Sequence, residues 1–122
     1  TLPLPVSAPC HSSLLQPASD RLREYLAGVD IKVPQIPVVN NVDVATVSEP
    51  AAIKDALVRQ AAGAVRWVEC VQAMARDGVT HLIECGPGKV LAGLTKRIDG
   101  NLVGAAITDP ASLDETLKLL GA

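Results

Sequence analysis

Apolar and polar positions switch between a period of two and a period near 3.6 along this chain, and the switches divide it into short elements. Leu2 to Ala8 reads as a short strand, because Pro3, Pro5 and Pro9 remove backbone donors and resist helix. Ser12 and Ser13 are N-cap types, and a helix is predicted from about Ser13 to Ala27. Leu15, Ala18, Leu22, Tyr25 and Leu26 recur there at helical spacing, while Asp20, Arg21, Arg23 and Glu24 fill the wet face. Gly28 is the expected stop. Val38 and Val39 predict a short buried strand ending at Asn40 and Asn41, and Val42 to Val47 carries a weaker strand signal. Pro50 opens a helix with Ile53, Ala56, Leu57 and Gln60 on one face, broken at Gly63. Another helix, from about Val65 to Arg76, brings Trp67, Val71, Met74 and Ala75 together and closes at Gly78.

Val79 to Cys85 is the clearest strand, bounded by Gly78 and by Gly86-Pro87-Gly88. A helix with Val90, Leu91, Leu94 and Ile98 inward follows, then an apolar strand from Leu102 to Ile107. Asp109-Pro110 opens a last helix with Leu113, Leu117 and Leu120 inward. Strands alternating with helices predict βα units, hence an α/β fold with a mostly parallel sheet flanked by helices.

Composition narrows the classes. A chain of 122 residues is expected to be one domain, residues 1-122, and to bury roughly two-thirds of its unfolded surface. With no Phe, one Trp and one Tyr, its core must be aliphatic. Eleven basic against thirteen acidic residues leave a net charge of -2, and no basic block exceeds Lys96-Arg97, which argues against nucleic acid. No apolar run reaches membrane-spanning length, so no membrane association is expected. Three cysteines without regular spacing fit a reducing cytoplasm. The chain opens on Thr1 rather than Met and is expected to be processed or partial.

His11 is the first candidate for chemistry, since it falls between a strand and a helix, where sites collect at the carboxyl ends of strands. The alternative is a solvent-exposed or structurally bonded histidine. Adjacent residues of an extended chain point to opposite sides, which disfavours a Cys10-His11 dyad. No serine carries the Gly-x-Ser-x-Gly flanks of a nucleophile elbow, so a base is present without a nucleophile. No metal is expected: His81 and Cys85, four apart on a strand, stand roughly 13 Å apart, too far to share a zinc. In Gly86-Pro87-Gly88-Lys89 the P-loop pattern fails at Ile83 and Val90, and the dinucleotide fingerprint fails at Leu91. A tight structural turn is expected there, with a nucleotide-phosphate site as the lesser reading.

Three stretches, in order and spanning nearly the whole chain, resemble the C-terminal portion of the malonyl-CoA:acyl-carrier-protein transacylases of the FabD type. They are Pro5-Val6-Ser7-Ala8-Pro9-Cys10-His11; Pro37 to Val44 continuing to Ala56-Leu57-Val58-Arg59-Gln60; and Glu84 to Arg97. The resemblance implies part of an α/β-hydrolase-like large subdomain, with the nucleophile-bearing part and a ferredoxin-like insert absent. It implies that His11 is the catalytic general base and that the main-chain carbonyl of Gln60 orients its imidazole in place of a triad carboxylate. Asn40, Asn41, Gly86 and Gly88 match motifs near the site and are supporting residues. Where the family pattern has Ser before the histidine, Cys10 stands here.

The implied reaction moves malonyl from coenzyme A to a serine and on to the phosphopantetheine thiol of acyl carrier protein, with these substrates and no further cofactor. The serine, and an arginine for the malonyl carboxylate, are expected before Thr1, so this chain alone is expected to be inactive and to need the missing N-terminal part as partner. Lys89, Lys96 and Arg97 are candidates for docking the acidic carrier protein; the bland reading is a solvated helix face. Alternatives are an acyltransferase domain of a polyketide synthase and a non-catalytic binding domain that keeps the fold.

Overall fold

In the computed structural model, which describes residues 8–122, Ser13–Leu15 forms a 3-10 turn that runs into α1 (Gln16–Ala27). Pro17 lies in the first turn of α1, where a missing N–H leaves no intrahelical bond unmade. Ser12 does not cap it with its side chain; its hydroxyl donates back to the Pro9 carbonyl at 2.7 Å. The strand expected at Leu2 to Ala8 falls outside the described residues except for Ala8, which is a bend.

Val39–Asn40 (β1) and Ala45–Thr46 (β2) pair antiparallel, Val39 opposite Thr46 and Asn40 opposite Ala45. α2 (Pro50–Ala62) starts on its proline and stops at Gly63; α3 (Trp67–Arg76) follows. α1 and α2 run antiparallel. The buried hydroxyl of Ser19 donates to the Val58 carbonyl at 2.6 Å, and Arg23 lies 3.7 Å from Asp55, one turn back along α2. The buried positions of α2 are Ala56 and Val58, while Leu57, expected inward, is exposed.

The chain divides within α3 into two units, Thr1–Cys70 and Val71–Ala122. In the second, β3 (His81–Cys85) and β4 (Val103–Ile107) pair in parallel register from His81 opposite Val103 to Cys85 opposite Ile107. α4 (Val90–Ile98) makes the crossover that a parallel pair requires, and α5 (Pro110–Leu119) follows. At Gly104 a Cβ would stand 2.6 Å from the Ala92 carbonyl oxygen, so only glycine lets the backbone of α4 come this close to β4. The buried positions here differ from the expected core. On α4 the buried residue is Thr95, whereas Val90 and Leu91 are exposed. On α5 it is Thr116, and Leu113, Leu117 and Leu120 are each 40–47% exposed rather than inward.

The chain is therefore α/β, but the single, mostly parallel sheet is corrected. Among the described residues there are two separate two-stranded sheets, one antiparallel and one parallel. The cause lies in loop length: residues 41–44 are too few for a parallel crossover, so Val39–Thr46 closes as a hairpin. No helix among the described residues is long and apolar enough to cross a membrane.

Candidate active site

His11 sits just before the 3-10 turn, and the antiparallel packing of α1 on α2 carries it to the C-terminal end of α2. There its Nδ1 lies 3.0 Å from the main-chain carbonyl of Gln60. The last four carbonyls of a helix have no intrahelical donor, so Gln60 offers an acceptor that some outside group must satisfy. A carbonyl can only accept. The proton of the neutral ring therefore sits on Nδ1, and Nε2 carries the free lone pair. His11 is exposed, and among the described residues no hydroxyl or thiol is hydrogen-bonded to Nε2. Its backbone has φ 57°, in the left-handed region, which costs a residue other than glycine about 1–3 kcal/mol. Such strain is typical of a side chain whose aim is fixed by its surroundings. Cys10 beside it is exposed and free.

The end of α2 that carries Gln60 is enclosed by the β1–β2 loop. Asn40 braces this loop: its Oδ1 accepts from the Asp43 N–H at 2.8 Å, and its Nδ2 donates to the Ala45 carbonyl at 2.9 Å. Asn41 receives the Arg66 N–H on its carbonyl at 2.9 Å; its buried Oδ1 finds no donor among the described residues. Asp43 takes two bonds from the Arg59 guanidinium, at 2.6 and 2.7 Å, and this partner holds its carboxyl below the usual carboxylate range. Cys70 is buried with its Sγ 3.7 Å from the Asn40 carbonyl; burial pushes its thiol up, the opposite of an activated nucleophile.

In the second unit Gly86, Pro87 and Gly88 join β3 to α4, with the Gly86 N–H on the Ile107 carbonyl at 3.2 Å. The helix N-terminus that would receive a phosphate already holds a carboxylate of this chain: Glu84 Oε2 accepts the Ala92 N–H at 2.9 Å. Glu84 thus occupies one of the donors at the start of α4 that an anion would use. The sequence signal for this cap is the place of Glu84 at the end of β3, two residues before Gly86 and eight ahead of Ala92. Lys89, Lys96 and Arg97 are all exposed on or next to α4, and Lys89 exerts a field on Asp109. His81 opens β3, half-buried, with Nδ1 2.9 Å from the Thr80 hydroxyl. Among the described residues no three His, Cys, Asp or Glu side chains cluster to hold a metal.

No protein-family model matches the chain. It is 52% identical over 116 residues to a malonyl CoA-acyl carrier protein transacylase of Salmonella typhimurium, covering 95% of this chain and 38% of that protein. Among solved structures, an acyl-carrier-protein S-malonyltransferase of Burkholderia pseudomallei matches with a TM-score of 0.90 and 84% identity, over 96% of this chain and 38% of that one. A malonyl-transacylase in complex with a type II PKS acyl-carrier protein matches with a TM-score of 0.92 and 50% identity, over 97% of this chain and 38% of that one. The chain thus spans 38% of the length of these relatives.

Proposed function

We propose that this chain, homologous over nearly its whole length to part of the malonyl CoA-acyl carrier protein transacylases, supplies the general base of such an enzyme. The observation that carries the reading is the 3.0 Å contact between His11 Nδ1 and the Gln60 carbonyl, which leaves Nε2 as the proton acceptor. A serine outside these 122 residues attacks the thioester carbonyl of malonyl-CoA and its proton passes to Nε2. The same proton then leaves on the coenzyme A thiolate, and a malonyl ester remains on the serine. In the second half the phosphopantetheine thiol gives its proton to Nε2 and attacks the ester. The serine oxygen departs with that proton, regenerating the enzyme. The first half exchanges a thioester for an oxygen ester and the second restores a thioester, with no change of oxidation state, so no redox partner enters the balance. The parent fold in this reading is α/β-hydrolase-like, the β3–α4–β4 crossover being one of its units, and the reaction is placed in the cytoplasm.

The carrier protein is the second substrate. Lys89, Lys96 and Arg97 give this chain a cationic rim for an acidic partner, and a relative solved with an acyl-carrier protein supports that class of partner.

The test joins this chain to the preceding portion of the Burkholderia pseudomallei relative and measures malonyl transfer from malonyl-CoA to holo acyl carrier protein. The 122-residue chain alone is expected to keep its mass after incubation with malonyl-CoA. The joined protein is expected to gain one malonyl group and to transfer it. A joined protein that folds but transfers nothing, beside an active relative, overturns the reading. A malonyl adduct on the isolated chain overturns the division between base and nucleophile, and Cys10 is the first residue to replace in that case.

A further inference from the structure

Two residues other than glycine have a positive φ among the described residues: His11 and Val44, the latter at 58°. His11 belongs to the site. Val44 lies in the β1–β2 loop, and a β-branched side chain is among the least suited to that conformation. The loop around Val44 is nevertheless held firmly, since the Asn40 carbonyl accepts the Val44 N–H at 3.1 Å and the Asn40 side chain bridges Asp43 and Ala45. The product of this strained turn is the direction of Asp43, whose two carboxylate oxygens meet Nη1 and Nη2 of Arg59 side by side.

Arg59 is the residue before Gln60. Consecutive loop residues hold the last turn of α2 and the link that follows it to α3. Asn41 takes the Arg66 N–H, and Asp43 holds Arg59. Val42 lies so close that a Cβ on Gly63 would stand 2.8 Å from its Cγ2 and 2.8 Å from the Arg59 carbonyl oxygen. Helix ends fray, and a carbonyl in a fraying turn cannot keep an imidazole aimed. We propose that the Asp43–Arg59 pair is a positioning device for His11, fixing the last turn of α2 so that the Gln60 carbonyl stays on Nδ1. The proposal rests on the reading of His11 as general base. The fork geometry matters to it, because two parallel bonds fix orientation where a single ammonium would not.

The test reads the ring directly. The chain contains two histidines, so 15N-histidine labelling, with His81→Gln for assignment, reports by NMR which nitrogen of the neutral His11 ring carries the proton. The wild type is expected to be mainly the Nδ1–H form. Asp43→Asn, and Arg59→Lys as a second variant that keeps the charge, are each expected to lose that majority. Asp55→Asn removes the other carboxylate on Arg59, bonded to its Nε at 2.7 Å, and is expected to leave the tautomer unchanged because the loop still holds. In the joined transacylase, Asp43→Asn and Arg59→Lys are expected to lower kcat on the order of 10²-fold, with the KM for malonyl-CoA little altered. An Nδ1–H majority retained in both variants overturns the clamp while leaving the base reading intact. Full transfer by His11→Ala overturns the base reading, and this role with it, whatever the tautomer.

Discussion

His11 and Gln60, 49 positions apart in the chain, meet as ring nitrogen to backbone oxygen at 3.0 Å. The partner of the histidine is a helix end rather than a side chain. Its orientation therefore depends on how α1, α2 and the β1–β2 loop pack.

The first prediction concerns that ring. In the joined transacylase, His11→Ala is expected to lower malonyl transfer by about 10²–10⁴-fold, the usual contribution of a positioned general base. Steady-state transfer to holo acyl carrier protein measures it, with circular dichroism as the check on folding. A loss of less than about tenfold would make His11 a bystander.

Two glycines should respond in opposite directions. Gly104→Ala places a methyl 2.6 Å from the Ala92 carbonyl, against backbone that cannot step aside, and is expected to cost about 1–3 kcal/mol. Gly93, inside α4 and exposed, has open space around its would-be Cβ. Gly93→Ala is expected to gain about 0.5–1 kcal/mol through helix propensity. Urea unfolding of both variants decides it; equal effects would mean that α4 and β4 are not in close contact.

The start of α5 carries the pH dependence. Asp109 accepts the Ser112 N–H at 2.8 Å, and the Ser112 hydroxyl meets the Asp109 N–H at 3.0 Å, a reciprocal cap. The Ser112 backbone bond, then its hydroxyl, hold the Asp109 carboxyl below its ordinary value of 3.8. A lowered folded-state value means that the stabilisation is fully present above about pH 4 and is lost as pH falls through that lowered value. Asp109→Asn keeps a capping side chain without the charge. It is expected to be less stable than wild type at pH 7, with the gap closing toward pH 2. A gap that stays constant across that range removes Asp109 from the acid response.

Charge reversal at Lys89, Lys96 and Arg97 together is expected to slow carrier-protein association on the order of tenfold and to flatten its salt dependence. Stopped-flow binding at two ionic strengths measures this. Unchanged rates would return the three residues to an ordinary solvated helix face.

Most elements were legible from pattern alone. The amphipathic run after Ser13 folds as α1, Pro50 and Gly63 bound α2, and the strand before Gly86-Pro87-Gly88 is β3. What the pattern misplaced were buried faces. Thr95 and Thr116 are buried where leucines and valines were expected; at Thr95 the reason is that Gly104 brings the α4 backbone against β4 and leaves room at the contact only for a small side chain. The hydroxyls that a hydropathy pattern counts as polar are satisfied locally, Thr95 on the Leu91 carbonyl and Thr116 on the Ser112 carbonyl.

The same division separates what the sequence by itself determined from what the tertiary structure decided. Local rules of period, capping and turn chemistry act within a few residues, so they set where helices and strands begin and end. They also exclude a P-loop, a dinucleotide fingerprint and a nucleophile elbow, since each needs fixed residues at fixed offsets. The partner of His11, the cap that Glu84 places on α4 and the bond from Arg59 to Asp43 join residues between 8 and 49 positions apart. Two of them depend on the direction of a backbone group at a helix end. No side-chain spacing encodes that direction; it exists only once the helices and the loop have packed.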